Sequence, residues 1–463
     1  MRTTILLLLA ALAGCGDDDV STRDDASVPT DGGPDMRADV GLPVDAGTTP
    51  TRFEVIEERS VTVLDVSRRV ELVRATRSDG ARTYLAYVHA VSEPAPVVVL
   101  NQPYAGIDWT GEEVDERWAA LGNGLHPDVD APAYDGDDVI AYGGQTVQAA
   151  ADEAAVWLLN GAAAVHVYAR YYAGGSLRDD ALDAATAYDF VASRRDELRV
   201  DRIGSYGGSW GGMMAVFGAA FAGETRPLVV SAIAPPTDFV DLYRHTHVEL
   251  PELFPEPERV EAFFSTYWRR ADPSIGFPPD VADGRVRAFT DEGLCETLSP
   301  GVFLLHDDWD LLIPTRQSEA LAARCPEKVS ATYWRRGTLD YDTTPLDHGP
   351  FGGEPVFPTV QTFATLRILH PILDESAPRL TLGHVAAFEA FLTLVRDART
   401  EGEDVSWALL PLRDVADARV RLFDPSTEAF RDGADVLAEA FASVFGGEWD
   451  AASVRTRLET GLP

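Results

Sequence analysis

The order of apolar runs predicts an α/β protein built on a mostly parallel sheet with helices on both faces. Three observations carry this. Pro96-Val97-Val98-Val99-Leu100 and Ala164-Val165-His166-Val167-Tyr168 are almost continuously apolar, as strands buried on both sides must be. Between them the alanine-rich stretch from Thr146 to Leu159 has the composition and length of a helix. In Gly207-Gly208-Ser209-Trp210-Gly211 a serine sits between glycines, with a stretch that reads as a short buried strand before it and small apolar residues after it, the pattern of a sharp strand–turn–helix junction.

The remaining elements follow in order. From Phe53 to Ala90, three stretches rich in β-branched residues predict antiparallel strands around Val61-Leu64, Val70-Thr76 and Thr83-His89, with a break at Ser78-Asp79-Gly80. A helix from Asp179 to Arg194 leads to the strand Arg202-Ile203-Gly204-Ser205-Tyr206 and the serine turn. Further strands lie at Pro227-Ala232 and Val302-Leu305. Residues 239–292 hold Pro-interrupted, aromatic-rich pieces, read as a small helical cap near the strand ends where ligands of such sheets bind. The main α/β domain is expected over 51–375, and 376–463 reads as a helical C-terminal extension.

An apolar share of 45% in 463 residues is enough for a large core. The net charge of −36 argues against nucleic acid as a partner, because a phosphate backbone would be repelled. Lys328 is the only lysine, so no GK[ST] phosphate loop exists and a serine–lysine dyad is disfavoured.

Met1-Arg2 precedes a nine-residue apolar run, Ile5 to Ala13, too short to span a bilayer and right for the core of a signal peptide. The run ends in Leu12-Ala13-Gly14-Cys15, which resembles the lipobox of bacterial lipoproteins. That resemblance implies removal of residues 1–14, acylation of Cys15, and a mature chain anchored to the cell envelope on its periplasmic or cell-surface side. From Gly16 to Pro50 nine acids face two arginines and large apolar residues are almost absent, so ordering entropy has nothing to offset it and the segment reads as a tether. Cys295 and Cys325 either stay free or pair; pairing would close a loop worth roughly 3.5 kcal/mol on a chain-entropy basis.

A serine hydroxyl attacks only when a base takes its proton, and the base needs a carboxylate to hold its tautomer. His306-Asp307-Asp308-Trp309-Asp310-Leu311-Leu312-Ile313-Pro314 follows a strand, and Asp307, Asp308 and Asp310 all compete for the acid role. Downstream, His370 and His384 fall in helical pattern, whereas His348 lies in the loop Pro345-Leu346-Asp347-His348-Gly349-Pro350.

Ser205-Tyr206-Gly207-Gly208-Ser209-Trp210-Gly211-Gly212 resembles the serine motif of the prolyl oligopeptidase family of α/β-hydrolases. The acid motif of that family, H-G-x-x-D-x-x-V-P, is matched from His306 to Pro314 with Asp307 in place of glycine and Ile313 in place of valine. The histidine motif is matched by His348-Gly349. The resemblance spans about 96–370 and implies the α/β-hydrolase fold, a Ser209–His348–Asp310 triad, and an oxyanion hole from the Trp210 N–H. The loop Asn101-Gln102-Pro103-Tyr104-Ala105-Gly106 would supply the second donor, and Tyr104 is assigned to it. The β-propeller of full-length oligopeptidases has no counterpart in the roughly 45 residues before the first parallel strand.

Amide bonds of peptides are therefore the first expected substrate. Small carboxylic esters come second, because the same machinery cleaves them, and a catalytically idle surface-binding protein is the third reading. The chemistry calls for no cofactor. His245-Thr246-His247 lacks a third metal ligand in the sequence, and the acidic stretch 108–138, with ten acids and one arginine, reads as a solvated insertion.

Overall fold

The computed structural model describes residues 51–102, 107–108, 145–169, 177–252, 292–298, 301–308, 310–334, 356–374, 376–424 and 426–462. The leader, Cys15, the acidic tether, Tyr104, His348, and most of the acidic insertion and of the cap lie outside them.

The described chain begins in an antiparallel meander. β1 (Arg52–Val63) turns into β2 (Val66–Thr76) through Leu64 and Asp65, and β3 (Arg82–Val88) pairs with β2. Leu64 and Asp65 have φ of 50° and 61°, the left-handed pair that a two-residue hairpin needs to match strand twist. Neither is Gly or Asn, so the turn left no sequence signal.

β4 (Ala95–Gln102) is the first parallel strand. Beyond it, β5 (Ile107–Asp108) pairs in parallel with β6 (Gln145–Thr146), a two-stranded ladder outside the main sheet. α1 (Val147–Glu153) starts there, with the Thr146 side chain accepting from Ala149 N at its N-terminus. α2 (Ala155–Leu159) completes the crossover to β7 (Ala163–Tyr168).

Next come α3 (Leu177–Ser193), β8 (Leu198–Gly208), α4 (Ser209–Phe221), β9 (Val229–Ile233), α5 (Phe239–Arg244), β10 (Val302–Asp307), α6 (Arg316–Arg324), β11 (Val329–Trp334) and α7 (Phe357–Ile372). Nine strands form one sheet in the order β1-β2-β3-β7-β4-β8-β9-β10-β11, and all neighbours from β7 to β11 are parallel.

Residues of the central strands alternate between two cores. Val98 and Leu100 belong to one with α1, α2 and α7; Val97 and Val99 belong to the other with α3, α4 and α6. With an antiparallel entry, a parallel centre, helices on both faces and a strand–serine–helix junction at the middle, this is the α/β-hydrolase fold.

The C-terminal segment carries the helices expected of it and, beside them, three short strands. It holds β12 (Arg379–Leu380), α8 (Val385–Thr400), α9 (Leu409–Ala416), β13 (Arg421–Asp424), β14 (Ala429–Asp432), α10 (Gly433–Phe445) and α11 (Ala451–Thr460), and the three strands form a separate small sheet. Strands of two to four residues are too short to show a period of two. Nor is the segment an appendage. Phe388, Phe391, Leu392, Leu437 and Phe441 are fully buried in the same core as Leu100 and Phe363, so these helices wall one face of the sheet.

The structure joins Cys295 and Cys325 in a disulfide, with Cα atoms 5.4 Å apart. It ties the short helix Glu292–Thr297 to the end of α6.

Candidate active site

Ser209 is the first residue of α4 and has φ of 51°. That left-handed conformation is strained for a residue with a side chain and needs surroundings that enforce it. Two glycines allow it. A Cβ on Gly207 would overlap the Gly211 carbonyl, and one on Gly211 would overlap the Asn101 carbonyl of β4. The strand, the turn and the helix are therefore packed backbone to backbone, which lifts Ser209 to the carboxyl end of the central strand.

The N-terminus of α4 faces the same point. Its first-turn N–H groups, Trp210 among them, have no intrahelical acceptor, and Gly208 offers no side-chain cap. These donors and the positive end of the helix dipole favour negative charge beside Ser209. Trp210 is held from below: its indole Nε1 donates to buried Asp180 at 2.8 Å, and its ring lies 5.8 Å from that of Phe239.

A second buried network fixes the strand beneath the turn. The Tyr188 hydroxyl donates to Ser205 Oγ at 3.0 Å, and Asn101 Nδ2 donates to Ser205 Oγ and to the Tyr206 carbonyl, both at 3.1 Å. Sequence reading missed this network, because Tyr188, Ser205 and Asn101 are brought together only by packing of α3, β8 and β4.

The acid loop follows β10, two strands away from β8 with β9 between. Two strand spacings come to about 10 Å, the order of length of a hydroxyl–imidazole–carboxylate chain. Asp310 is 4% exposed, and its Oδ1 accepts from Ile313 N at 2.7 Å. Its own N–H donates to the Asp307 carbonyl at 3.1 Å, closing a turn.

His306 braces that turn from inside the sheet. Its Nε2 lies 2.7 Å from the Ile313 carbonyl and its Nδ1 2.8 Å from Ser318 Oγ. A carbonyl can only accept, so Nε2 carries a proton and donates to it. The motif histidine thus staples the acid loop, with Nε2 also 3.8 Å from Asp310 Oδ2. Asp307 is buried at the end of β10 and Asp308 is half-buried.

The helical turn His245–Glu249 that follows α5 is tied to the same loop. His245 is buried, with Nε2 2.7 Å from the Leu311 carbonyl and Nδ1 3.3 Å from Glu249. The ring of the His-Thr-His stretch is used as a strut. Of the other downstream histidines, His370 sits in α7, where burial lowers its pKa, and exposed His384 caps α8 through Ala387 N.

At the carboxyl end of β4, Gln102 and Gln145 both donate to Glu153 Oε2, at 3.0 and 2.7 Å. Burial pushes the Glu153 carboxyl up from its ordinary pKa, against the pull of the two carboxamides. His166, fully buried beside Gln102 Nε2 at 3.2 Å, is pushed down to about 3.

A further charged cluster lies at the other end of the strands. Donor atoms of His89, Glu93 and Glu197 lie within 4.8 Å of one another. Their cation is already supplied by protein: Arg69 Nη2 is 2.9 Å from His89 Nδ1 and 3.9 Å from Glu197.

No protein-family model matches the chain, and no curated protein does. Among solved structures, acetyl xylan esterase 1 of Thermoanaerobacterium sp. is 17% identical over 64% of this chain and 85% of that one, with a TM-score of 0.38. An acetyl xylan esterase of Paenibacillus sp. R4 is 18% identical over 63% and 85%, at 0.37. The acylaminoacyl peptidase of Pyrococcus horikoshii is 14% identical over 61% of this chain and 36% of that one, at 0.33. The fold assignment rests on the order and direction of the strands.

Proposed function

We propose that the protein is a serine hydrolase of the cell envelope that cleaves peptide amide bonds through an acyl-enzyme. The observation that carries this reading is Ser209 itself: a non-glycine residue at φ 51°, first in a helix, raised on the central strand by two glycines that admit no Cβ. Such strain persists where a function uses it.

In the proposed reaction His348 takes the Ser209 proton as Oγ bonds to the acyl carbon. Asp310 orients His348, while the Trp210 N–H and Tyr104 steady the oxyanion. Collapse expels the amine, which leaves with the proton carried by His348. Water then repeats the sequence, giving the acid and restoring Ser209. His348 and Tyr104 enter on their sequence motifs. Peptide bonds come first because the serine, acid and histidine motifs resemble those of prolyl oligopeptidases; small esters are the alternative, since the same groups cleave them more easily.

A fluorophosphonate probe tests the reading. Covalent labelling at Ser209, lost in Ser209→Ala, is the expected result; a folded protein that never reacts would instead be an idle binder. A panel of aminoacyl amides and short esters then separates peptidase from esterase by kcat/KM. Export and anchoring through Cys15 are part of the proposal, and Cys15→Ala should move the protein from the membrane to the soluble fraction.

A further inference from the structure

The Trp210 N–H, an oxyanion donor of the proposed hydrolase, belongs to a residue whose side chain is fixed at its far end. The indole Nε1 donates to Asp180 at 2.8 Å; Asp180 is fully buried and Trp210 is 2% exposed. The Trp210 ring also meets Phe239 edge to face at 5.8 Å.

Asp180 is held in turn. It lies near the start of α3 between Asp179 and Asp183, and both of these bond Arg77 of the β2–β3 turn, at 2.9 and 2.8 Å. Further along, α3 and α4 approach so closely that a Cβ on Gly218 would overlap Ala184. Asp180 and Ala184, four residues apart, share the face of α3 turned to α4.

Ser209 precedes Trp210 at φ 51°, and that strain is relieved only if the peptide planes beside it turn. The plane between Ser209 and Trp210 carries the donor N–H, and the Trp210 side chain is joined to the same Cα. Clamped at the indole, the side chain resists the rotation that would take the N–H off its target.

We infer that Asp180 is a positioning residue of the proposed oxyanion site: through the Trp210 indole it fixes the direction of the Trp210 N–H. The inference rests on the serine hydrolase reading. It assigns Asp180 no contact with substrate.

An oxyanion forms fully only in the transition state, so loosening its donor lowers kcat and leaves KM nearly unchanged. On whichever amide or short ester the wild-type enzyme turns over best, Asp180→Leu should lower kcat about 10- to 100-fold per active site titrated with fluorophosphonate, with KM within about threefold. Asp180→Asn keeps an oxygen that accepts from the indole and should stay within about threefold of wild type. Trp210→Phe keeps the backbone N–H and lacks the indole donor; added to it, Asp180→Leu should cost less than about threefold more.

A folded Asp180→Leu with wild-type kcat overturns the inference, and so do a raised KM at unchanged kcat, a loss in Asp180→Asn as large as in Asp180→Leu, or losses that multiply in the double variant. If Asp180→Leu does not fold, Trp210→Phe alone decides, with a loss of about fivefold or more in kcat expected and an unchanged kcat overturning the idea. Failure of the wild-type protein to label at Ser209 is a separate outcome that removes the hydrolase reading beneath it.

Discussion

Buried histidines meet carboxylates at both ends of the sheet, and the two places are built differently. At the amino end of the parallel strands His89 donates to Glu71 at 2.9 Å, Arg194 bonds Glu71 and Glu197 at 2.8 and 2.9 Å, and Arg69 closes the cluster. Arg69 and Arg194 both face Glu71 and Glu197 there. At the carboxyl end the backbone itself is forced: Ser209 is held at a positive φ, and the first turn of α4 presents N–H groups without helical acceptors. A dense cluster of titratable groups is ordinarily a structural ion-pair network; a strained backbone at the start of a helix points instead to a place built for chemistry.

Mutations should separate the two ends. Ser209→Ala is expected to have the largest effect, at least about a thousandfold in kcat/KM and complete loss of probe labelling, with an unchanged circular dichroism spectrum. Asp310→Asn should follow, lowering kcat by about 10³- to 10⁴-fold through the wrong imidazole tautomer; a variant that keeps more than a tenth of wild-type kcat would move the acid role to Asp307 or Asp308.

Gly211→Ala drives a methyl into the Asn101 carbonyl and should lower both melting temperature and labelling, at about 2–4 kcal/mol of stability. At the opposite end the result should be stability alone. Glu71→Gln leaves Arg194 and His89 short of a partner and should cost about 2–3 kcal/mol, with kcat per active site unchanged. A change in kcat there would erase the contrast between the two ends.

The smallest effect is in pH. His166 in the folded protein is pushed down to about 3 by burial, while in the unfolded chain it takes up a proton near 6.5. Between those values the unfolded chain binds more protons, so stability rises with pH through this window and is fully present above about 6.5. Lowering the pH from 7 to 5 should therefore remove about 2 kcal/mol through this group, and His166→Asn should shrink that loss, read as a smaller shift in urea midpoint.

Much of this was legible before any coordinates. Strands β4, β7, β9 and β10 announce themselves as largely apolar runs, as strands buried on both faces do, whereas β8 was read from its place before the serine turn. The serine turn announces itself because close backbone approach tolerates only glycine at Gly207 and Gly211. The Leu64-Asp65 hairpin was silent, since its left-handed residues are not the usual ones, and the small C-terminal sheet was silent because its strands are too short for a period to form.

Sequence alone determined the doubly covered parallel sheet and the place of Ser209 in it, since both follow from local pattern: the period of apolar residues and the sterics of a glycine-flanked turn. Only the tertiary structure decided what the neighbouring polar residues do. That His306 braces the acid loop, that His245 ties the segment after α5 to that loop, that Arg69 donates to His89, and that Glu153 gathers Gln102 and Gln145 all depend on partners chosen by packing and by the need of buried polar groups for a mate.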